Sequence, residues 1–159
     1  MKTTLALLAA LLLPAGAADV ADAADPGAEV RDAETAFARA FAERDAARFR
    51  AFLAEDTTFL SPPAVMKGPD QVMAKWLKYL EPKEAPFSWK PEHVAVNGDG
   101  SIGFSTGPVF DPKGTQIAVY TSVWVKRKDG SWKILFDGPG CPVSPPARPA
   151  AGPAEEKKE

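Results

Sequence analysis

The sequence predicts an α+β domain, with N-terminal helices packed on a curved antiparallel sheet to form a cone with a pocket. Three observations carry this. Apolar residues recur with helical spacing as far as Leu80, and with a period of two from Phe87 onward. The turn signals Asn97-Gly98-Asp99-Gly100, Asp111-Pro112-Lys113-Gly114 and Asp129-Gly130 then cut the second part into hairpins. Finally, the longest strand pattern, Thr115 to Lys128, is largely apolar on both faces, whereas a face open to water would read polar.

The elements follow in order. From Ala28 to Glu43, Val30, Ala33, Phe37, Ala40 and Phe41 mark the apolar stripe of a first helix, and Arg31, Asp32, Arg39 and Glu43 its wet side. Asp45 reads as the N-cap of a short second helix with Phe49, Phe52 and Leu53 on one side. Thr57 to Ser61 is a short strand stopped by Pro62-Pro63. Gly68-Pro69-Asp70 opens a third helix, because proline suits a first turn whose N–H has no partner. Its expected buried stripe is Val72, Met73, Trp76, Leu77 and Leu80. Strands are expected at Phe87–Trp89, His93–Val96, Ser101–Gly107, Thr115–Lys128 and Ser131–Asp137, with Gly103 and Gly107 where the sheet bends.

The ends read differently. Lys2 followed by the apolar run Leu5–Leu13, Pro14 and Ala15-Gly16-Ala17 has the three parts of a secretory signal, with cleavage near Ala17 or Ala18. Nine apolar residues are too few for a bilayer that needs about 20. Residues 1–18 are therefore read as a signal peptide, 19–27 as an acidic linker, 28–143 as the domain and 144–159 as a Pro-rich disordered tail. The expectation is a secreted or periplasmic protein with no membrane span after cleavage.

Composition narrows the function classes. Residues 26–143 hold 15 basic and 15 acidic side chains, which supplies no positive field for nucleic acid. One histidine and one cysteine in 159 residues exclude a zinc site built from several of them and any CxxC pair. Gly98-Asp99-Gly100-Ser101-Ile102-Gly103 matches GxGxxG, but a strand follows it rather than the helix a dinucleotide needs, so it is a hairpin turn. No cofactor is expected.

The order of these pieces resembles the nuclear transport factor 2-like superfamily, the cystatin-like cone fold shared by ketosteroid isomerase and the SnoaL-like polyketide cyclases. The resemblance runs over residues 29–143. It rests on Ala36-Phe37 through Arg44-Asp45, Phe59-Leu60-Ser61-Pro62, Lys67-Gly68 leading to Trp76, and Phe87-Ser88-Trp89-Lys90-Pro91. It continues through Gly103–Gly107, Tyr120-Thr121-Ser122-Val123-Trp124 and Asp129–Ile134, with Asp137 after them. The likeness is nearest to small exported domains of uncharacterised function. It implies a pocket between helices and sheet and, commonly, a homodimer, but no single reaction. Isomerase-type members use a carboxylate base with tyrosine and protonated carboxyl donors. This chain has Phe37 and Phe41 where a first-helix tyrosine would be wanted.

Asp137 is the foremost catalytic candidate, since an aromatic pocket raises a carboxyl toward the general-base range. Strict alternation groups it with Lys133 and Leu135, opposite Trp132, Ile134 and Phe136, which would turn it away from an aromatic cavity. Tyr120 and Trp124 share a face and, with Trp76, Trp89, Phe59 and Phe37, are the expected pocket for a small apolar or aromatic ligand; ordinary core packing is the alternative. Glu92-His93 is an acid–base pair or a solvated strand end, and Cys141 a quiet thiol or a dimer cross-link. The resulting expectation is an exported, non-catalytic small-molecule-binding or interaction domain. The alternative is a cofactor-free isomerase, cyclase or dehydratase using Asp137 and Tyr120.

Overall fold

The structure, a computed structural model, describes residues 26–140. The expected signal peptide, the expected tail and Cys141 lie outside the described residues. So does the acidic linker, except for Pro26 and Gly27, which begin the first helix instead.

Helix α1 (Pro26–Ala42) buries Val30, Glu34, Phe37, Ala40 and Phe41 along one stripe. Two residues past its end, Arg44 takes the left-handed region (φ 63°) although it is not a glycine, and the Asp45 N–H closes on the Ala40 carbonyl at 3.0 Å. Helix α2 (Ala46–Ala51) starts at the expected cap, where Asp45 Oδ1 accepts the Arg48 N–H at 2.9 Å. It stops short of Phe52 and Leu53, and Leu53 already belongs to strand β1 (Leu53–Ser61). Pro62-Pro63 does not end the strand segment but turns it into strand β2 (Ala64–Lys67), which the sequence reading missed. Helix α3 (Gly68–Leu80) buries Pro69, Val72 and Leu80, with Met73, Trp76 and Tyr79 half buried. Leu77 is exposed rather than buried, because it lies one helical step off this stripe and Tyr79 takes its place. Arg44 ties α1 to α3 by donating to the Tyr79 carbonyl at 2.8 Å while lying 4.3 Å over the Phe41 ring.

The remaining strands are β3 (Ser88–Trp89), β4 (His93–Val96), β5 (Ile102–Phe110), β6 (Gln116–Lys126) and β7 (Trp132–Pro139). They form one curved, unclosed sheet in the order β2-β1-β7-β6-β5-β3, with β4 also paired to β5. The fold is α+β as expected. The sheet is mixed rather than wholly antiparallel, because β1 runs parallel to β7. The helices cover its inner face, where Phe37, Phe49, Phe59, Trp124 and Ile134 make the centre of the core.

Two departures from an even ladder position the site. Trp124 pairs with Ile134 but its neighbour Val123 pairs with Phe136, so Leu135 is an extra residue in β7. That bulge reverses the parity of everything after it. Trp132 and Ile134 face in, Phe136 faces out, and Asp137 faces in with them. The expected orientation of Asp137, counted without the bulge, is thereby corrected. On β5, a methyl on Gly103 would meet the Val30 side chain at 2.5 Å, and one on Gly107 would collide with the Lys90 carbonyl. These glycines admit α1 and the β3–β4 connection close against the strand.

Candidate active site

A cavity of about 300 Å³ lies between α3 and the inner face of the sheet. That is the low end of the range for small-molecule sites, about 300–1,000 Å³. Its walls are mainly aromatic: Phe37 from α1, Phe59 from β1, Trp76 and Tyr79 from α3, Phe87 just before β3 and Trp89 in it. These rings hold one another mostly in edge and tilted contacts, such as Phe59 edge-on to Trp76 at 5.7 Å, and Phe41 behind them stacks on Phe87 at 4.7 Å. Polar groups enter at few points, chiefly Tyr120 from β6, Asp137 from β7, Ser61 and Lys75.

Of the residues expected in the pocket, Phe37, Phe59, Trp76, Trp89 and Tyr120 line it and Asp137 joins them. Trp124 does not: it is fully buried behind the wall. His93 is exposed at the start of β4 and Glu92 beside it is exposed too, away from the cavity lining. The GxGxxG stretch forms the β4–β5 hairpin, with Asp99 Oδ1 accepting the Ser101 N–H at 2.9 Å.

Beneath the cavity floor lies Glu34, which the sequence reading did not single out. It is 0% exposed. Its Oε1 accepts the Trp89 indole N–H at 2.8 Å and its Oε2 the Trp124 indole N–H at 2.9 Å. The hydroxyls of Ser122 and Ser105 lie near enough to favour its charged form as well. Those serines in turn reach the cavity: Ser122 Oγ is 2.8 Å from Asp137 Oδ2, and Ser105 Oγ is 2.8 Å from the Tyr120 hydroxyl. A signal for Glu34 was present. It falls four residues after Val30 and three before Phe37, on the apolar stripe where a lone carboxylate has no business unless it is paired.

The electrostatics follow from burial, with no cation ion-paired to these carboxyls among the described residues. Desolvation raises the Glu34 carboxyl above its ordinary value, against the pull first of the Trp89 and Trp124 indoles and then of the nearby serine hydroxyls. Asp137 is pushed up to about 8, first by desolvation and then by the charge on Glu34, with the Ser122 hydroxyl opposing. Burial, followed by the Glu34 charge, also raises Tyr120 and keeps its phenol protonated. The cavity therefore offers a neutral carboxyl and a neutral phenol at one end of an apolar chamber near neutral pH.

Comparison with known proteins agrees with the fold. The model of the SnoaL-like domain matches residues 34–134. A proposed ketosteroid isomerase from Shewanella frigidimarina superposes with a TM-score of 0.53 at 20% identity, covering 69% of this chain and 92% of its own. A proposed dehydratase of the nuclear transport factor 2-like family from Streptomyces avermitilis gives 0.57 at 17% identity, covering 75% and 97%. A protein of unknown function with a cystatin-like fold from Nostoc punctiforme gives 0.58 at 14%, covering 74% and 92%. At these identities the likeness concerns the fold. No curated protein matches the sequence.

Proposed function

The chain belongs to the SnoaL-like domain family, and from that premise we propose that it is a cofactor-free acid–base enzyme acting on a small, largely apolar carbonyl or hydroxyl compound. Asp137 exchanges the proton and Tyr120 fixes the ligand oxygen. The observation that carries this reading is that both groups open into one aromatic cavity in which Asp137 is held near 8, close to the range where a carboxyl gives and takes protons at neutral pH. Two of the similar folds are named as a proposed ketosteroid isomerase and a proposed dehydratase, which is the class of reaction this reading assigns.

Deuterium exchange next to the carbonyl of cyclic ketones and hydroxy ketones, followed by NMR in D2O, tests it. The wild type should exchange at least one member of such a panel, and Asp137→Asn should slow that about 10²-fold or more while still binding it. Binding without exchange in the wild type would favour the second reading, a non-catalytic binding domain. That reading is supported by Phe37, which lines the cavity from α1 with no donor.

Export and dimerisation belong to the same proposal. The domain would act after removal of residues 1–18, which N-terminal sequencing of the mature protein checks. On the outer sheet face Phe104, Val123 and Phe136 stand in register across three strands, with Phe104 41% and Phe136 47% exposed. A second copy is the partner we infer for this row. Sizing chromatography of the mature chain giving a clean monomer at micromolar concentration would remove that inference.

A further inference from the structure

We propose that the ligand is a small amphipathic anion, whose carboxylate is met at the cavity mouth by Lys75 while its ring fills the aromatic chamber. This deepens the reading above and rests on it for the inner end, where Asp137 and Tyr120 meet the ligand oxygen.

The lining of the cavity is graded. Phe37, Phe59, Met66 and Tyr120 are buried at its inner end, whereas Leu60, Ser61, Lys75, Ala118 and Pro139 are exposed and mark the mouth. Polarity divides along the same line. Asp137 and Tyr120 supply the inner carboxyl and phenol, aromatic rings the middle, and Lys75 and Ser61 the open end. Lys75 is the one cation among the lining residues and Asp137 the one carboxyl. The charges that act on Asp137 and Tyr120 come from Glu34, Arg31 and Asp137 itself rather than from Lys75, which sets its ammonium apart from the acid end. A chamber of about 300 Å³ holds the volume of roughly ten waters, which suits a body of one substituted ring.

Among the described residues nothing neutralises that ammonium. On a helix, side chains three and four residues apart are the ones that pair. For Lys75 these are Gln71, Val72, Lys78 and Tyr79, none of them acidic. Asp70, the sole carboxylate of α3, is taken by Arg50 at 2.8 Å. Lys75 has no ion pair or hydrogen bond among the described residues. Lys78 adds a second positive charge, 4.5 Å over the ring of the cavity residue Tyr79. By contrast, Lys126 is spent on Glu29 and Lys133 on the Ala51 carbonyl. An unpaired cation at the rim of an apolar chamber draws anions to it and fixes which end of an elongated ligand enters. The apolar end goes in and carries its oxygen to Asp137. The carboxylate stays where water still reaches it, so its charge is never fully desolvated.

The test compares para-hydroxyphenylpropanoate with its amide, which has the same shape and no charge. Binding to the mature chain is read from the ¹⁵N-labelled indole N–H resonances of Trp76 and Trp89, which line the cavity, with Trp132 outside the lining as the control. At low ionic strength the carboxylate should bind about fivefold tighter than the amide, an advantage that added salt erodes. Lys75→Gln should abolish the difference by weakening the carboxylate alone, Lys75→Arg should keep it, and Lys75→Glu should reverse it. Lys75 is exposed, so these variants leave the core intact. Equal binding of the two compounds, a preference that survives Lys75→Gln, or a carboxylate that fails to move Trp76 and Trp89 overturns the inference. Its fate is separate from that of the reaction. Deuterium exchange without a charge preference would keep the enzyme and remove the anion. A preference without exchange would keep the anion and leave a binding domain.

Discussion

Helix α1 presents two glutamates to the sheet, and each accepts an indole N–H, yet they end in opposite electrostatic states. Glu29 Oε2 takes the Trp132 N–H at 2.9 Å and the Lys126 ammonium at 2.6 Å, with its side chain 39% exposed. Its carboxyl is held below the ordinary value, chiefly by those two hydrogen bonds. Glu34 takes two indoles, is ion-paired with no cation among the described residues and is fully buried, and its carboxyl is raised. An indole–carboxylate contact is thus an anchor where a cation and solvent complete it. Where burial is complete and no cation is ion-paired with it among the described residues, the same contact leaves a carboxyl that favours its proton.

The largest expected effect separates the two by deletion. Glu34→Ala strands the Trp89 and Trp124 donors in the core, each costing about 1–3 kcal/mol, and leaves a void besides, for a loss of about 3–5 kcal/mol. Against a total stability of about 5–15 kcal/mol this removes a large share of the fold. Glu29→Ala leaves Lys126 and Trp132 at a rim that water reaches, so its urea midpoint should shift by a small fraction of that. Equal shifts for the two variants would break the comparison.

Next in size is the exchange of each tryptophan for phenylalanine, which keeps the ring and removes the donor. Trp124→Phe should cost about 1–3 kcal/mol, because Glu34 loses a donor that no water replaces. Trp132→Phe should cost less, since Lys126 still holds Glu29. Thermal melts at pH 7 check both. A larger loss at Trp132 would mean that the rim contact, and not the floor, organises α1.

The helices, the hairpin turns and the long strand were legible because each has a local cause: a 3.6-residue stripe, an Asx or glycine turn, an uninterrupted β pattern. Strand β2 was not, because its four residues carry no alternation of their own and are held by pairing with β1 after the Pro62-Pro63 turn. The site was half legible. Its aromatic walls followed from composition and parity, but the side of Asp137 depended on Leu135, a bulge set by the pairing of β7 with β6. Periodicity cannot count a residue whose extra place exists only in the ladder. Trp124 illustrates the converse, since its face was read correctly and its depth was not. Glu34 was visible as a charge on an apolar stripe, but its meaning required partners 55 and 90 residues away.

The remaining effect is in the pH dependence of stability, and its sign differs between the two glutamate regions. Asp137 has a folded value of about 8 against an ordinary 3.8, so between those values the folded protein binds more protons than the unfolded chain. The unfolding free energy therefore falls as pH rises through that window and levels off above it. Glu34, raised by the same burial, adds in the same direction. Glu29 is lowered, so its contribution is complete above its ordinary value of 4.5 and is lost as pH falls through the folded value. Wild-type melting temperatures should decline from pH 6 to pH 9. Asp137→Asn should shrink that alkaline decline and leave the acid limb intact, while Glu29→Gln should flatten the acid limb alone. Superimposable alkaline limbs in wild type and Asp137→Asn would mean that Asp137 ionises freely, and the floor would then differ from the rim in hydrogen bonding but not in charge.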